Sequence, residues 1–166
     1  VRVAIEDNKP EAIDAMSTAL RDAEGDVALV TLRTHYPQGS EKQQIFSVTG
    51  RRVPNGGLPM DVGCVVENVG TALAVREAVV EGRPLTWRSI TVAGDAIMGP
   101  ANWLAPIGTS CAALVEACGG FSMPPAKLIS GGPMMGFALP SLEVPMTKTS
   151  SGLLLLSSDA VVQYRS

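Results

Sequence analysis

The sequence predicts an α/β domain with a parallel sheet, followed by a small α+β unit. Three observations carry that expectation. Over the first half, apolar strands and helical stretches alternate in the order β-α-β-α-β-α, the pattern of a parallel sheet with crossover helices. The strands are short and near-continuously apolar, as strands covered on both faces must be. Beyond Arg83-Pro84 the texture changes to short strands and tight turns around a single helix.

The elements follow in order. Val1 to Ile5 reads as the opening strand, and Glu6-Asp7-Asn8-Lys9 as a polar turn. Pro10 sits just inside the next helix, where a missing N–H costs little. Ala12, Ile13, Met16, Ala19, Leu20 and Ala23 mark its apolar stripe, and Gly25 ends it. Val27 to Leu32 is the second strand. Ser40 is placed as an N-cap with Gln43 three residues on, the spacing of a capping box, and the helix from Glu41 stops at Gly50. A loop rich in Pro and Gly runs from Arg51 to Gly63. Cys64 to Val66 is expected as a third strand, and Asn68 as the N-cap of a helix from Val69 to Glu81, closed by Gly82.

In the second unit, strands are expected at Leu85 to Val92, Asn102 to Ala105, Lys127 to Ser130, around Leu142 to Val144, and at Leu153 to Ser157. The one helix is capped by Thr109 or Ser110 and ends at Gly119-Gly120. Asp159 to Ser166 reads as a frayed tail. The domain limits are therefore 1–83, 84–157 and a tail at 158–166.

Bulk properties narrow the function. The 166 residues are enough to bury a core, and 46% hydrophobic content is too high for a disordered chain. The net charge of −3 gives no nucleic-acid footprint. No apolar run approaches the roughly 20 residues of a membrane-spanning helix. A soluble, cytoplasmic chain able to dock on a membrane complex is expected. Cys64, Cys111 and Cys118 form no C-x-x-C pair, so they read as reduced structural thiols, with no metal or iron–sulfur ligands in this chain. The chain opens at Val1 directly in a strand, and is read as a piece of a longer protein.

Two places combine a helix start with polar residues, and helix starts suit anionic ligands because their N–H groups are unpaired. The first is Tyr36-Pro37-Gln38-Gly39-Ser40-Glu41. Tyr36 can lie against a flat ring, Gly39 lets the backbone approach a ligand, and Glu41 can accept hydrogen bonds from sugar hydroxyls. The second is Glu67-Asn68-Val69-Gly70-Thr71, where a strand is expected to end and a helix to begin, the place where open α/β sheets bind ligands. Against these stands a bland reading: a surface turn and two ordinary helix caps. Glu6, Asp7 and Asn8 form a second tier at the end of the first strand. His35, the only histidine, belongs to no nucleophile–base arrangement, so no catalytic residue is named. Gly131-Gly132-Pro133-Met134-Met135-Gly136 lacks the Lys and Thr of a phosphate loop and reads as a turn with its methionines packed inward. Trp87 and Trp103 read as core or interface.

The phrases IEDNKPEAI (Ile5 to Ile13), YPQGSEKQ (Tyr36 to Gln43), VPNGGLPMDVG (Val53 to Gly63), ENVGTA (Glu67 to Ala72) and GGPMMGFALP (Gly131 to Pro140) resemble, in order, the C subunit of the Rnf electron-transport complex. More distantly the chain resembles the NADH-binding flavoprotein subunit of respiratory complex I. The resemblance implies a partial Rossmann-like flavin domain followed by a β-grasp module of the soluble-ligand-binding (SLBB) type. It implies FMN and NAD(H) in the full-length parent, with 4Fe–4S clusters held outside this chain. Partners would be other subunits of a membrane complex, with ferredoxin reached indirectly, at the inner face of the cell membrane. It carries Tyr36, Gly39, Glu41, Glu67, Asn68 and Thr71 over as cofactor-binding residues. Two departures stand out: Ser40 replaces an acid of the complex I pattern, and Glu67 replaces an asparagine. With the glycine-rich loop of the family not in this chain, the segment alone is expected to be inactive. A cobalamin reductase-like flavoprotein, or a non-catalytic ligand-binding and assembly module, are the alternative readings.

Overall fold

The computed structural model describes residues 1–162, so the end of the expected tail, 163–166, falls outside the described residues. The chain divides into two compact units, Val1–Ala72 and Leu73–Ser166.

In the first unit, β1 (Arg2–Glu6) pairs in parallel with β2 (Ala28–Leu32), Val3 lying opposite Leu29. The crossover is α1 (Pro10–Leu20), with Pro10 in its first turn as expected. Next comes α2 (Glu41–Thr49), whose one buried residue is Ile45. Gly50 ends it at φ 71°, a left-handed turn in which its N–H donates to the Phe46 carbonyl. The loop that follows is tied down by polar contacts. Asp61 Oδ2 accepts from the Leu58 N–H at 2.8 Å within a 3-10 turn, Pro59–Val62. Arg51 Nη1 donates to the Val62 carbonyl at 2.8 Å, returning the chain to the end of α2.

The third strand of this sheet is not formed. Among the described residues, Cys64–Val66 makes a single backbone hydrogen bond, from Cys64 N–H to the Pro59 carbonyl, and belongs to no ladder. A strand exists only through its neighbour, and none is paired with this segment. The parallel sheet is consequently two-stranded.

Helix α3 (Val69–Glu81) has the predicted limits. Asn68 Oδ1 accepts from the Gly70 N–H at 2.9 Å, a true side-chain cap. None of its residues is buried, and its apolar residues are spread around the axis among Arg76, Glu77 and Glu81.

The second unit is a mixed five-stranded sheet carrying one helix. Its strands are β3 (Trp87–Ala93), β4 (Ala101–Pro106), β5 (Lys127–Ser130), β6 (Phe137–Ala138) and β7 (Gly152–Leu156), in the order β4-β3-β7-β5-β6. Only the β3–β7 pair is parallel. Helix α4 (Cys111–Ala117) is capped by Ser110, whose Oγ accepts from the Ala113 N–H at 3.2 Å. Ile90 and Val92 of β3, Leu153 and Leu155 of β7, Leu114 and Val115 of α4, and Met146 form its core. Gly94 sits at φ 124°, and a Cβ there would lie 1.9 Å from the Leu155 carbonyl oxygen. Only glycine lets the chain leave β3 at that point.

Two expectations for this unit need correction. Leu142–Val144 is not a strand: its carbonyls accept from the Cys111 and Ala112 N–H groups, satisfying the orphan donors at the start of α4. Met134 and Met135 are exposed rather than packed inward, because the turn projects beyond the sheet edge at β6. Trp87 is half exposed on the outer face of β3, whereas Trp103 packs on the core and donates its Nε1–H to Cys118 Sγ at 3.1 Å.

Candidate functional site

The first group of nominated residues is a turn clamped to α2. Gln38 is buried, and its Nε2 donates to Ser47 Oγ at 2.8 Å. Its N–H donates to the His35 carbonyl, and the Ser40 N–H to that of Pro37. This anchoring leaves Tyr36 58% exposed, with Glu41 also exposed in the first turn of α2. Nothing lies within 4 Å of where a Cβ on Gly39 would be, so its backbone is open to approach. Ser40 holds the N-cap conformation, yet its hydroxyl makes no cap bond. The expected capping box is therefore absent, and among the described residues no side chain claims the first-turn N–H groups of α2.

The second group differs. Asn68 Oδ1 already serves the Gly70 N–H, and the Asn68 carbonyl accepts from the Thr71 N–H. Thr71 is half-buried, while Glu67 and Asn68 are exposed. This helix start caps itself.

A cleft of about 260 Å³ lies in the same unit. Arg2 and Ala4 of β1, Gln44, Ile45, Val48 and Thr49 of α2, and the run Gly63–Glu67 line it. Of the six nominated residues only Glu67 reaches this cleft. Tyr36, Gly39, Glu41, Asn68 and Thr71 do not line it, and no hydrogen bond joins the two groups among the described residues. Arg2 is held at one side by Asp26, Nη1 to Oδ1 at 3.0 Å.

The polar turn after β1 has structural work. Asp7 Oδ1 accepts from the Thr34 Oγ1 hydroxyl at 2.6 Å and from the Thr34 N–H at 2.9 Å, joining the ends of the two strands. The hydroxyl bond, then the amide bond, holds the Asp7 carboxyl below its ordinary range. Glu6 pairs with Lys9 at 2.8 Å. His35 is exposed, and no cluster of three or more metal-ligating side chains occurs among the described residues.

Sequence reasoning missed the cleft and Gln38. The clue to the cleft was the missing pairing partner of Cys64–Val66, which no local pattern reveals. The clue to Gln38 was weaker, a single amide between Pro37 and Gly39.

The donor set fits one side of a flavin nucleotide. Free amides at the start of α2 suit a phosphate or sugar oxygen, Gly39 leaves room for it, and Tyr36 presents an exposed ring. The cleft itself falls below the roughly 300–1,000 Å³ of small-molecule sites, and polar and apolar surface line it in about equal measure.

Comparison with known proteins agrees with the division of the fold. Residues 1–77 match the family model described as the Nuo51 FMN-binding domain, and residues 89–138 match the SLBB domain. The chain is 52% identical over 159 residues to the C subunit of the proton-translocating ferredoxin:NAD(+) oxidoreductase complex of Clostridium ljungdahlii, covering 96% of this chain and 34% of that protein. It is 44% identical over 158 residues to the Na(+)-translocating counterpart of Acetobacterium woodii, covering 95% of this chain and 35% of that protein. It is 43% identical over 158 residues to the C subunit of the ion-translocating oxidoreductase complex of Citrobacter koseri, covering 95% of this chain and 22% of that protein. The chain thus spans about a third or less of the length of these relatives.

Proposed function

Because the chain is homologous to a segment of the Rnf-type C subunit, we propose that it forms part of an electron-transfer subunit of an ion-translocating ferredoxin:NAD(+) oxidoreductase complex. In this reading residues 1–83 supply one wall of a flavin site, and residues 84–157 a β-grasp module that docks on neighbouring subunits. The parent polypeptide would bind FMN, which passes electrons between a two-electron nicotinamide and one-electron iron–sulfur carriers. NAD(H), the 4Fe–4S clusters and contact with ferredoxin belong to the parent and its partners. No helix among the described residues is long and apolar enough to cross a membrane. The subunit would sit peripherally at the inner face of the cell membrane.

The uncapped start of α2 is the observation that supports this reading best. Its N–H groups would donate to phosphate or sugar oxygens, with Gly39 admitting them close to the backbone. Glu41 would accept from sugar hydroxyls, and Tyr36 would cover one face of the ring and exclude water from it. Asn68 and Thr71 would contribute their remaining polar atoms, and Glu67, an acid, would face the sugar chain rather than the phosphate. Catalysis demands reacting groups at near-contact distance, so this wall alone is inactive.

The test is an FMN titration, followed by flavin fluorescence, on the full-length subunit and its Glu41→Ala and Asn68→Ala variants. Loss of a charge-assisted hydrogen bond is worth about 1.5–3 kcal/mol, so Glu41→Ala should weaken FMN about tenfold or more. Unchanged binding in both variants would remove these residues from the site.

A further inference from the structure

We infer that the cleft beside β1 is a strand-sized gap, filled in the full-length subunit by a β-strand from outside these 166 residues. The hydrogen-bond alternation of β1 points to it. The Val1 carbonyl accepts from Ala28 N–H, and Asp7 N–H donates to the Leu32 carbonyl. In a parallel ladder the partner side alternates along the strand, so the odd-numbered residues of β1 face β2. Arg2 and Ala4 then direct their backbone N–H and C=O groups to the opposite edge. Those two are the β1 residues that line the cleft.

Across the same cleft runs Gly63–Glu67. Its residues Val65, Val66 and Glu67 make no backbone hydrogen bond among the described residues, although the sequence there is strand-like. Two sets of unsatisfied backbone groups thus border one opening. Ile45 and Val48 of α2 give it an apolar lining. An open strand edge is a template for another strand. A strand in the gap would pair with Arg2 and Ala4 on one side and, on the other, with those groups of Val65–Glu67 that face it.

The occupant is taken from the subunit's own remaining sequence, because the relatives carry about two thirds or more of their length beyond the matched segment. This rests on the reading of the chain as part of such a subunit. The inserted strand would be about four to six residues long and apolar on both faces, like the other strands of a doubly covered sheet.

Amide hydrogen exchange with peptide-level mass spectrometry tests this on the 166-residue chain and on the full-length subunit, each with and without FMN. The amides of Ala4, Val65 and Val66 should exchange freely in the short chain. In the full-length subunit Ala4, and whichever of Val65 and Val66 turns its N–H to the gap, should slow at least 100-fold, whether or not FMN is present. Labelling of Cys64, which lines the cleft, should fall in parallel. Fast exchange in the full-length subunit would overturn the inference. So would protection that appears only with FMN, which would make the cleft a ligand pocket, or protection of the short chain that rises with its concentration, which would make the occupant a second copy. Protection in a full-length subunit that binds no FMN would uphold the strand while removing the flavin reading.

Discussion

The two units of this chain are built to different degrees of completion. Residues 73–162 wrap a five-stranded sheet and α4 around a shared core in which Val92 and Leu155 have no exposure at all. The first 72 residues hold a two-stranded sheet, and Ile45 and Pro59 are the buried apolar side chains assigned to them among the described residues. Every residue of β1 is partly or fully exposed. A closed core takes its apolar side chains out of water, whereas uncovered strands leave theirs in contact with it. In this protein the part with the closed core matches an SLBB domain, and the open part matches an FMN-binding domain.

The largest effect should come from Gly94→Ala. The new Cβ would collide with the Leu155 carbonyl, and the backbone angle is hostile to it, placing the change in the exceptional class above about 4 kcal/mol. Circular dichroism and urea titration should find the second unit unfolded or nearly so. A variant with native stability would show that this crossing is looser than described.

Leu155→Ala comes next, at about 2–5 kcal/mol, as expected for a large side chain removed from a closed core. Ile45→Ala should cost clearly less in the 166-residue chain, because its side chain already borders an open cleft and leaves little new cavity. Equal losses in the two urea curves would erase the contrast between the units.

The thiols offer a finer comparison. Cys64 is half-buried at the cleft, whereas Cys111 and Cys118 are buried in the core of the second unit. Desolvation raises the Cys111 thiol further above its ordinary range, keeping it protonated and slow. A thiol-reactive dye should label one site quickly, identified as Cys64 by peptide mapping, and the other two only on unfolding. Fast labelling of all three would contradict the closed core.

The smallest effect concerns acid. The carboxyl of Asp95 accepts from the Ser157 hydroxyl and from the Ser157 N–H, the latter at 2.9 Å, and these bonds hold it below its ordinary range. A carboxyl whose folded value is depressed stabilises the fold above its ordinary value of 3.8, and that contribution fades as pH falls through the folded value. Asp95→Asn should flatten the acid limb of the second unit's stability curve below pH 4 while changing the first unit little. An unchanged limb would assign the acid sensitivity elsewhere.

What could be read from the sequence follows the same divide between local and long-range causes. The limits of α3 were legible because Asn68 and Gly82 are local signals, as Gly50 is for α2 and Ser110 for α4. Cys64–Val66 was not, since three apolar residues look the same whether or not a neighbour pairs with them. The two residues of β6 are too few to show alternation. Met134 and Met135 misled because hydrophobicity does not say whether a turn folds inward or projects from an edge. At the site, Asn68 announced its cap, but nothing local indicated that Ser40, an equally good cap by type, would leave its own helix uncapped.

The contrast between the units is tested most directly by native-state amide exchange on the 166-residue chain. Strands β3 and β7, at Val92 and Leu155, should exchange only through cooperative unfolding. Strands β1 and β2, at Val3 and Val30, should exchange about 100-fold faster or more through local opening. Comparable protection in both pairs would mean that the first unit has a closed core of its own, and would contradict its description as an unfinished wall.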